Sequence, residues 1–404
     1  MVTKAIQTPV NLNSDHFYQN RYDVYEYLRD HEPVSRGKVS FFLNLWLVAR
    51  YEDCVRVLTD PRMIRNKSKI TGGGRLPFPM PKSVQRLAIS MIYEDDPEHR
   101  RLRNLVHKAF TPRSLRKISG RVEALTHELL DKAEGEVDLM TAYSLPIPVT
   151  VIREMLGVEQ RDMDELRNSI TALTDGLSGI TILKTFFLDM PKSTRFIEKM
   201  IERKRAEPAD DILTGLIQAE EDGERLTQDE LIAMVYLLII AGYETTVHLI
   251  TNGVVTLLKH PEQMERLRAE PELMESAVEE ILRYSGPIEG TKPFYPTEDI
   301  TFSGVTIPRG EMVMPLLGAA NRDPRQFENP DVFDITRTPN RHLGFSQGIH
   351  YCLGAPLARM ETQIALKTLL ERKPNLRLTV PTSKLKRTNL PGWIRYESVP
   401  VSLG

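Results

Sequence analysis

The decapeptide FSQGIHYCLG, Phe345 to Gly354, carries the sharpest chemistry in this 404-residue chain. Gly348 and Gly354 allow a tight turn in which backbone N–H groups can point at the Cys352 sulfur, and His350 supplies a nearby cation. Such donors hold a thiolate. The run APLARMETQIALKTLLE follows directly, so Cys352 lies at the start of a helix whose positive end lowers a thiol pKa. The alternative is a buried structural cysteine in a loop, and the glycine spacing argues against it.

A second constellation is AGYETT, Ala241 to Thr246. Ala241 and Gly242 have almost no side chain, so a flat cofactor and a small gas could approach the backbone closely. Thr245 can bond back to the Ala241 carbonyl four residues earlier, which bends a helix and opens a groove. Glu244 is an acid beside that hydroxyl, and together they could relay protons to a distal ligand. Taken alone, a helix that simply becomes exposed at Glu244 explains this run equally well. Glu280 and Arg283 stand at i,i+3 among Ala277, Ile281 and Leu282. An exposed pair would contribute under about 1 kcal/mol, but this apolar context suits a buried pair that locks the fold. His99 and Arg103, at i,i+4 on one helical face, make with His350 three donors for two carboxylates. Arg100 and Arg101 beside them suit solvated charge.

These residues need elements to position them. YDVYEYLRDHEP reads as a helix stopped at Pro33, and Val39 to Tyr51 is rich in strand formers and could make a hairpin through Asn44. After a short helix to Leu58, TGGGRLPFPMPK reads as an irregular, greasy loop carrying Leu76, Phe78 and Met80. From Pro97 the pattern is mostly helical, with Thr111-Pro112 opening one helix. Thr227-Gln-Asp-Glu230 forms a capping box for a segment without a stop until His260-Pro261. That segment predicts one helix roughly 48 Å long, apolar through its first half and suddenly polar at AGYETT. Leu231 to Tyr243 is shorter than a bilayer span and reads as buried core. Further helices are expected at about 272–284 and 354–372, separated by turns and strands.

Composition narrows the function classes. Lys+Arg 53 against Asp+Glu 55 leaves no basic field to hold nucleic acid or an anionic membrane. Hydrophobic content of 41% and charged content of 27% suit a folded globule. Two cysteines make no disulfide framework; Cys54, in EDCVRVL, suits core packing. The N-terminal residues show no apolar core of a secretory signal or membrane anchor, so the cytoplasm is the default.

The spacing Phe-x-x-Gly-x-His-x-Cys-x-Gly resembles the haem-binding signature of the cytochrome P-450 family. AGYETT, EEILR and DPEHRRLRNLVHKAFTP, with the run AANRDP, are similar to further motifs of its soluble bacterial members, and the resemblance covers essentially the whole chain. It implies a mainly α fold: one haem domain over 1–404, a long central helix, and small β-sheets on the N-terminal side. The β-rich parts are expected at about 33–52 and 288–314, the helical parts at about 97–284 and 354–373.

The resemblance further implies haem b, with Cys352 as the iron ligand and Phe345, Gly348, His350, Gly354, Ala241, Gly242, His99 and Arg103 around the cofactor. Thr245 and Glu244 take the catalytic role of proton delivery, and sulfur donation to iron favours cleavage of dioxygen. The family completes the Glu280–Arg283 pair with a third residue; Val332 stands where some members have arginine, and Arg337 is the expected substitute. Many relatives place a propionate-binding arginine where this chain has Phe294, for which Lys292 could compensate. Substrate is expected against Leu76, Phe78, Met80, Ile89, Leu237, Leu238, Ile288, Pro293 and Trp393, an apolar set that suits a lipophilic small molecule.

Electrons would come from NAD(P)H through a ferredoxin and ferredoxin reductase, or a flavodoxin-type donor. Lys108, Arg113 and Arg359 could steer an acidic donor, or be scattered surface cations. The expected protein is a monomer that hydroxylates or epoxidises in secondary metabolism. A peroxide-driven peroxygenase would bypass the proton relay, and a haem-based sensor would want an output domain.

Overall fold

The computed structural model describes residues 9–39, 44–72, 81–110, 112–174, 184–220 and 223–404. Leu76, Phe78, Met80 and Thr111 therefore lie outside the described residues, as does the side chain of Arg113. Two compact units divide the chain: 1–71 with 133–140 and 248–404, and 72–132 with 141–247.

In the first unit Pro33 ends the helix Arg21–His31, and the chain continues at once as a strand, Val34–Lys38. This strand pairs antiparallel with Asn44–Val48, Lys38 facing Asn44. The hairpin expected through Asn44 is thus displaced: Asn44 opens the second strand, and the first strand is already complete at Lys38. Gly37 explains why the register tolerates the crowding, because a Cβ there would lie 2.6 Å from Leu47 Cδ1. Val10–Asn11 and Val313–Pro315 flank the pair in parallel, giving a four-stranded sheet. Leu45, Leu47, Tyr25, Leu28 and Phe17 make one core against this sheet. Val57, Leu58, Phe294, Phe302 and Leu343 belong to another. Arg377–Leu378, Pro400–Ser402 and Glu136–Asp138 form a three-stranded sheet. Cys54 is fully buried and its thiol donates to the Val48 carbonyl at 3.1 Å, which suits packing alone.

The second unit is helical. Glu98–Ala109, Pro112–Lys132, Pro146–Leu156 and Met190–Ala206 are its main elements. Gly215, on Ile212–Gln218, lets that helix close on Ala109, whose Cα would lie 3.2 Å from any Cβ at 215.

The long helix Gln228–Lys259 has 32 residues and begins in the second unit. Its cap is reciprocal: Thr227 N–H donates to Glu230 Oε2 at 2.7 Å and Glu230 N–H to Thr227 Oγ1 at 3.3 Å. Arg101 pairs with Glu98 and Glu230, so it is bound to the start of this helix rather than solvated as the sequence suggested. Arg100 is exposed and pairs with Asp96 four residues earlier.

Candidate active site

Packing along the long helix is interrupted at its middle. Leu231–Tyr236 are buried and burial resumes from Thr246 to Leu257, whereas among the nine residues between them only Ile239 is buried. Apolar residues such as Leu237, Leu238 and Ile240 are left half-covered in a helix otherwise enclosed, which is the surface a ligand would cover. Ala241 is exposed there, and a Cβ on Gly242 would meet only Ile152 Cγ1, at 3.9 Å. The Thr245 hydroxyl donates to the Ala241 carbonyl at 2.6 Å, with half-buried Glu244 beside it. The bond back along the helix holds the hydroxyl in one orientation and leaves its oxygen able to accept.

In the same unit His99 is buried on Glu98–Ala109, its Nδ1 3.9 Å from Asp96 Oδ1, and Arg103 follows one turn later, half-buried. Burial and then the charge of Arg103 lower the pKa of His107. Ile89 ends the helix Lys82–Ala88, half-buried.

The cysteine loop lies in the first unit. Ser346 and Gly348 both adopt positive φ, and a Cβ at Gly348 would lie 2.3 Å from the Leu58 carbonyl oxygen. Gly348 is therefore required twice, by conformation and by space. Gly354 differs from the sequence reading: its φ of −84° is ordinary, and nothing approaches within 4 Å of a Cβ built there. Its contribution is open room beside the cysteine. The turn closes when Cys352 N–H donates to the Phe345 carbonyl at 2.9 Å. Ala355–Arg372 begins one residue after Gly354, with the half-buried Cys352 thiol just before its N-terminus.

A rigid scaffold holds the loop. Arg359 donates to Glu279 at 2.6 and 2.7 Å and lies 4.6 Å from the centre of the Phe345 ring; His342 Nε2 meets Glu279 at 3.0 Å. Burial raises the Glu279 carboxyl, but hydrogen bonds from Arg359 and His342 outweigh it and hold the pKa at about 2. Arg359 is thus engaged by Glu279 and the loop. Lys108, in the other unit, donates to the Glu220 carbonyl at 2.6 Å. Neither Glu279 nor His342 was singled out in the sequence, where Glu279 reads as one more charge beside Glu280.

Glu280 and Arg283 form two hydrogen bonds, 2.7 and 2.8 Å, with no side-chain exposure. Arg337 reaches Glu280, Asn340 and the Asp334 N–H donate to it, and Arg283 donates to the carbonyls of Asn321, Pro330 and Val332.

Ile288 and Trp393 are brought together by a bridge between their segments, with Glu289 N–H donating to Gly392 O at 2.8 Å. Pro293 is half-buried on the next turn of chain. Lys292 is exposed. Arg65 is buried with its guanidinium 4.4 Å from the centre of the Phe294 ring, and that ring meets His350 edge-on at 6.2 Å.

A haem is a largely apolar plate with iron at its centre and two carboxylates at its edge. Within the first unit the Cys352 thiol stands just before a helix, with open space at Gly354 and His350 two residues earlier; within the second, Ala241 and Gly242 leave a bare helix face, and His99 and Arg103 share one helix. Each set by itself suits such a group, a thiol able to ligate iron in the first unit and a small-residue helix face with basic side chains in the second. A cysteine loop of this kind suits a haem-thiolate protein.

The sequence pattern of Cytochrome P-450 matches residues 46–390. The chain is 38% identical over 395 residues to the polyketide biosynthesis cytochrome P-450 PksS of Bacillus subtilis, covering 96% of both chains. The solved PksS structure has a TM-score of 0.90, at 97% and 99% coverage and 36% identity. The mycinamicin IV hydroxylase/epoxidase of Micromonospora griseorubida is 41% identical, with 90% of each chain covered. A structure titled P-450BioI in complex with a hexadec-9Z-enoic acid ligated acyl carrier protein has a TM-score of 0.86, 36% identity, and coverage of 96% and 98%. The chain belongs to the cytochrome P-450 family and is an oxidoreductase of the monooxygenase type, dependent on haem iron and dioxygen.

Proposed function

We propose that residues 1–404 act as one cytoplasmic haem domain that hydroxylates or epoxidises a lipophilic small molecule of secondary metabolism, with electrons from NAD(P)H delivered by a separate ferredoxin-type or flavodoxin-type donor. The interrupted packing of the long helix around the Thr245–Ala241 hydrogen bond carries this reading. It joins an apolar surface able to hold a substrate to a fixed hydroxyl and an acid, the two things oxygen activation demands of the protein.

Bound haem supplies an iron that activates dioxygen, made electron-rich by the Cys352 thiolate. The protein's own residues do the rest. The Cys352 loop fixes the sulfur through Gly348 and the Arg359–Glu279 clamp. His99, Arg103 and His350 pair the propionates. Ala241 and Gly242 admit dioxygen to the helix face. Thr245 Oγ1 holds the proton-donating group, and Glu244 resupplies protons from solvent. The resemblance assigns substrate contacts to Leu237, Leu238 and Ile89 in the second unit and to Ile288, Pro293 and Trp393 in the first. The relatives named for polyketide and macrolide chemistry support a polyketide-like substrate.

The test is a substrate screen. Lipophilic polyketides, free and thioester-linked to a carrier, are scored by the blue shift of the ferric Soret band and then by product identification with a ferredoxin system. Reduced protein with CO should show the long-wavelength band of a thiolate-ligated haem, and Cys352→Ala should lose it. An ordinary haem–CO spectrum in fresh wild-type protein would overturn the assignment of Cys352.

A further inference from the structure

We propose that the outer face of the helix Met190–Ala206 docks an acidic helix of a small carrier protein that presents the substrate as a thioester; this rests on the lipophilic-substrate reading above and names the partner that delivers it. The inner face of the helix, which includes Met190, Thr194, Ile197 and Ile201, is buried. It seats on the long helix, where the Tyr236 hydroxyl donates to the Met190 carbonyl at 3.0 Å and lies 2.7 Å from Thr194 Oγ1. Half-covered Leu237 and Leu238 are the next residues of the long helix. The outer face is therefore the solvent side of a helix packed beside two candidate substrate contacts.

Its cations form a line. Lys192, Arg195 and Lys199 are all exposed, and none has an ion-pair partner among the described residues. They run over roughly 10 Å of one helix face. Neighbouring charges are engaged elsewhere: Glu198 is held by Arg86 at 2.8 Å, and Lys184 pairs with Asp189 at 3.2 Å. At the leading end of the line, on the turn Thr185–Asp189, Phe187 and Leu188 are 59% and 55% exposed. Exposed Glu202, the next position of the line, ends the positive run. Bare apolar side chains joined to unpaired cations suit an interface, in which apolar contact supplies area and charge selects the partner.

The line is one residue wide, which decides the class of partner. A lipid surface is a plane and gathers cations spread across a face, whereas a helix with carboxylates at i, i+3 and i+7 lays one against each of these three side chains. Placement decides the partner's role. An electron donor serves the thiolate site, which the first unit carries, but this helix belongs to the second unit and packs beside Leu237 and Leu238. Lipophilic chains under assembly are held as thioesters on small acidic helical proteins, which bring both the charge and the cargo.

The experiment uses the haem-loaded protein. Its probe is an acidic acyl carrier protein charged with a dodecanoyl thioester, run beside free dodecanoate and phosphatidylglycerol vesicles. Calorimetric titration at low and physiological salt measures affinity, and the ferric Soret shift reports entry of the chain. The variant Lys192→Glu/Arg195→Glu/Lys199→Glu should weaken the loaded carrier at least roughly tenfold and remove the loss of affinity with salt, while its response to free dodecanoate stays that of wild type. Phe187→Ser/Leu188→Ser should weaken the carrier and keep the salt dependence. A carrier whose facing acids are changed to lysine should recover binding to the charge-reversed variant, which a badly packed protein could not do.

Equal carrier affinity in wild type and the reversed variant, or no carrier binding by wild type, would overturn the proposal. Binding to the vesicles alone, lost on charge reversal, would overturn it in favour of a membrane contact. A Soret band unmoved by either form of the chain refutes an aliphatic acyl substrate, while the affinity comparison still decides the docking face.

Discussion

Arg337 donates from Nε to both carboxylate oxygens of Glu280, 3.2 Å each, from 57 residues further along the chain. With the bidentate Arg283 bond, the Asn340 amide and the Asp334 N–H, the glutamate is surrounded by donors while fully buried. A buried charge of this kind stabilises only as a complete set, because removing one member leaves the others desolvated and unpaired.

Arg283→Ala should accordingly cost about 3–5 kcal/mol and give poorly folded, haem-poor protein. Arg337→Ala removes one of two guanidinium partners and should cost less, with Arg337→Lys between it and wild type. Urea midpoints and haem content per chain check the order. Wild-type midpoints for Arg283→Ala would mean that the pair carries no stability.

Thr245→Ala should still bind substrate and accept electrons. It loses the hydroxyl held against the Ala241 carbonyl, so NAD(P)H consumption should continue while product per NAD(P)H falls severalfold and hydrogen peroxide accumulates. Added peroxide should partly restore product. Equal coupling in mutant and wild type would transfer proton delivery to another group.

The Glu279 carboxyl is held at about 2 against an ordinary 4.5. A depressed acid contributes stability in full above 4.5 and loses it as pH falls toward 2, because the unfolded chain takes up the proton first. Glu279→Gln should abolish that part of the acid slope and loosen the cysteine loop, seen as faster haem loss at neutral pH. An unchanged slope would show that the clamp is not linked to folding.

His248, buried on the long helix, is lowered from 6.5 to about 4, first by desolvation and then by the charge of Arg395. Here too the unfolded state binds the proton more readily, so stability should decline as pH falls from 6.5 toward 4. His248→Gln should flatten denaturation midpoints across that window. A slope identical to wild type would mean that His248 protonates without strain.

Chemistry confined to one turn or one helix was legible in the sequence. Gly348, Cys352 and the helix after them, the reciprocal cap of Thr227 and Glu230, and the i,i+4 bond of Thr245 to Ala241 all depend on residues a few positions apart, where helical and turn geometry leave little choice. The hairpin was misplaced because register depends on which residue faces which across the strands, Lys38 facing Asn44, and neither segment alone specifies that pairing. Charged residues were the hardest to read. Arg101, Arg359 and Arg65 look alike in the sequence, as long cations able to reach solvent. Only the tertiary structure binds the first to the cap of the long helix, the second to Glu279 and the third over Phe294. The reason is physical: a guanidinium on a flexible stem takes its role from the anion or ring that folding brings within reach, and that partner can stand hundreds of residues away.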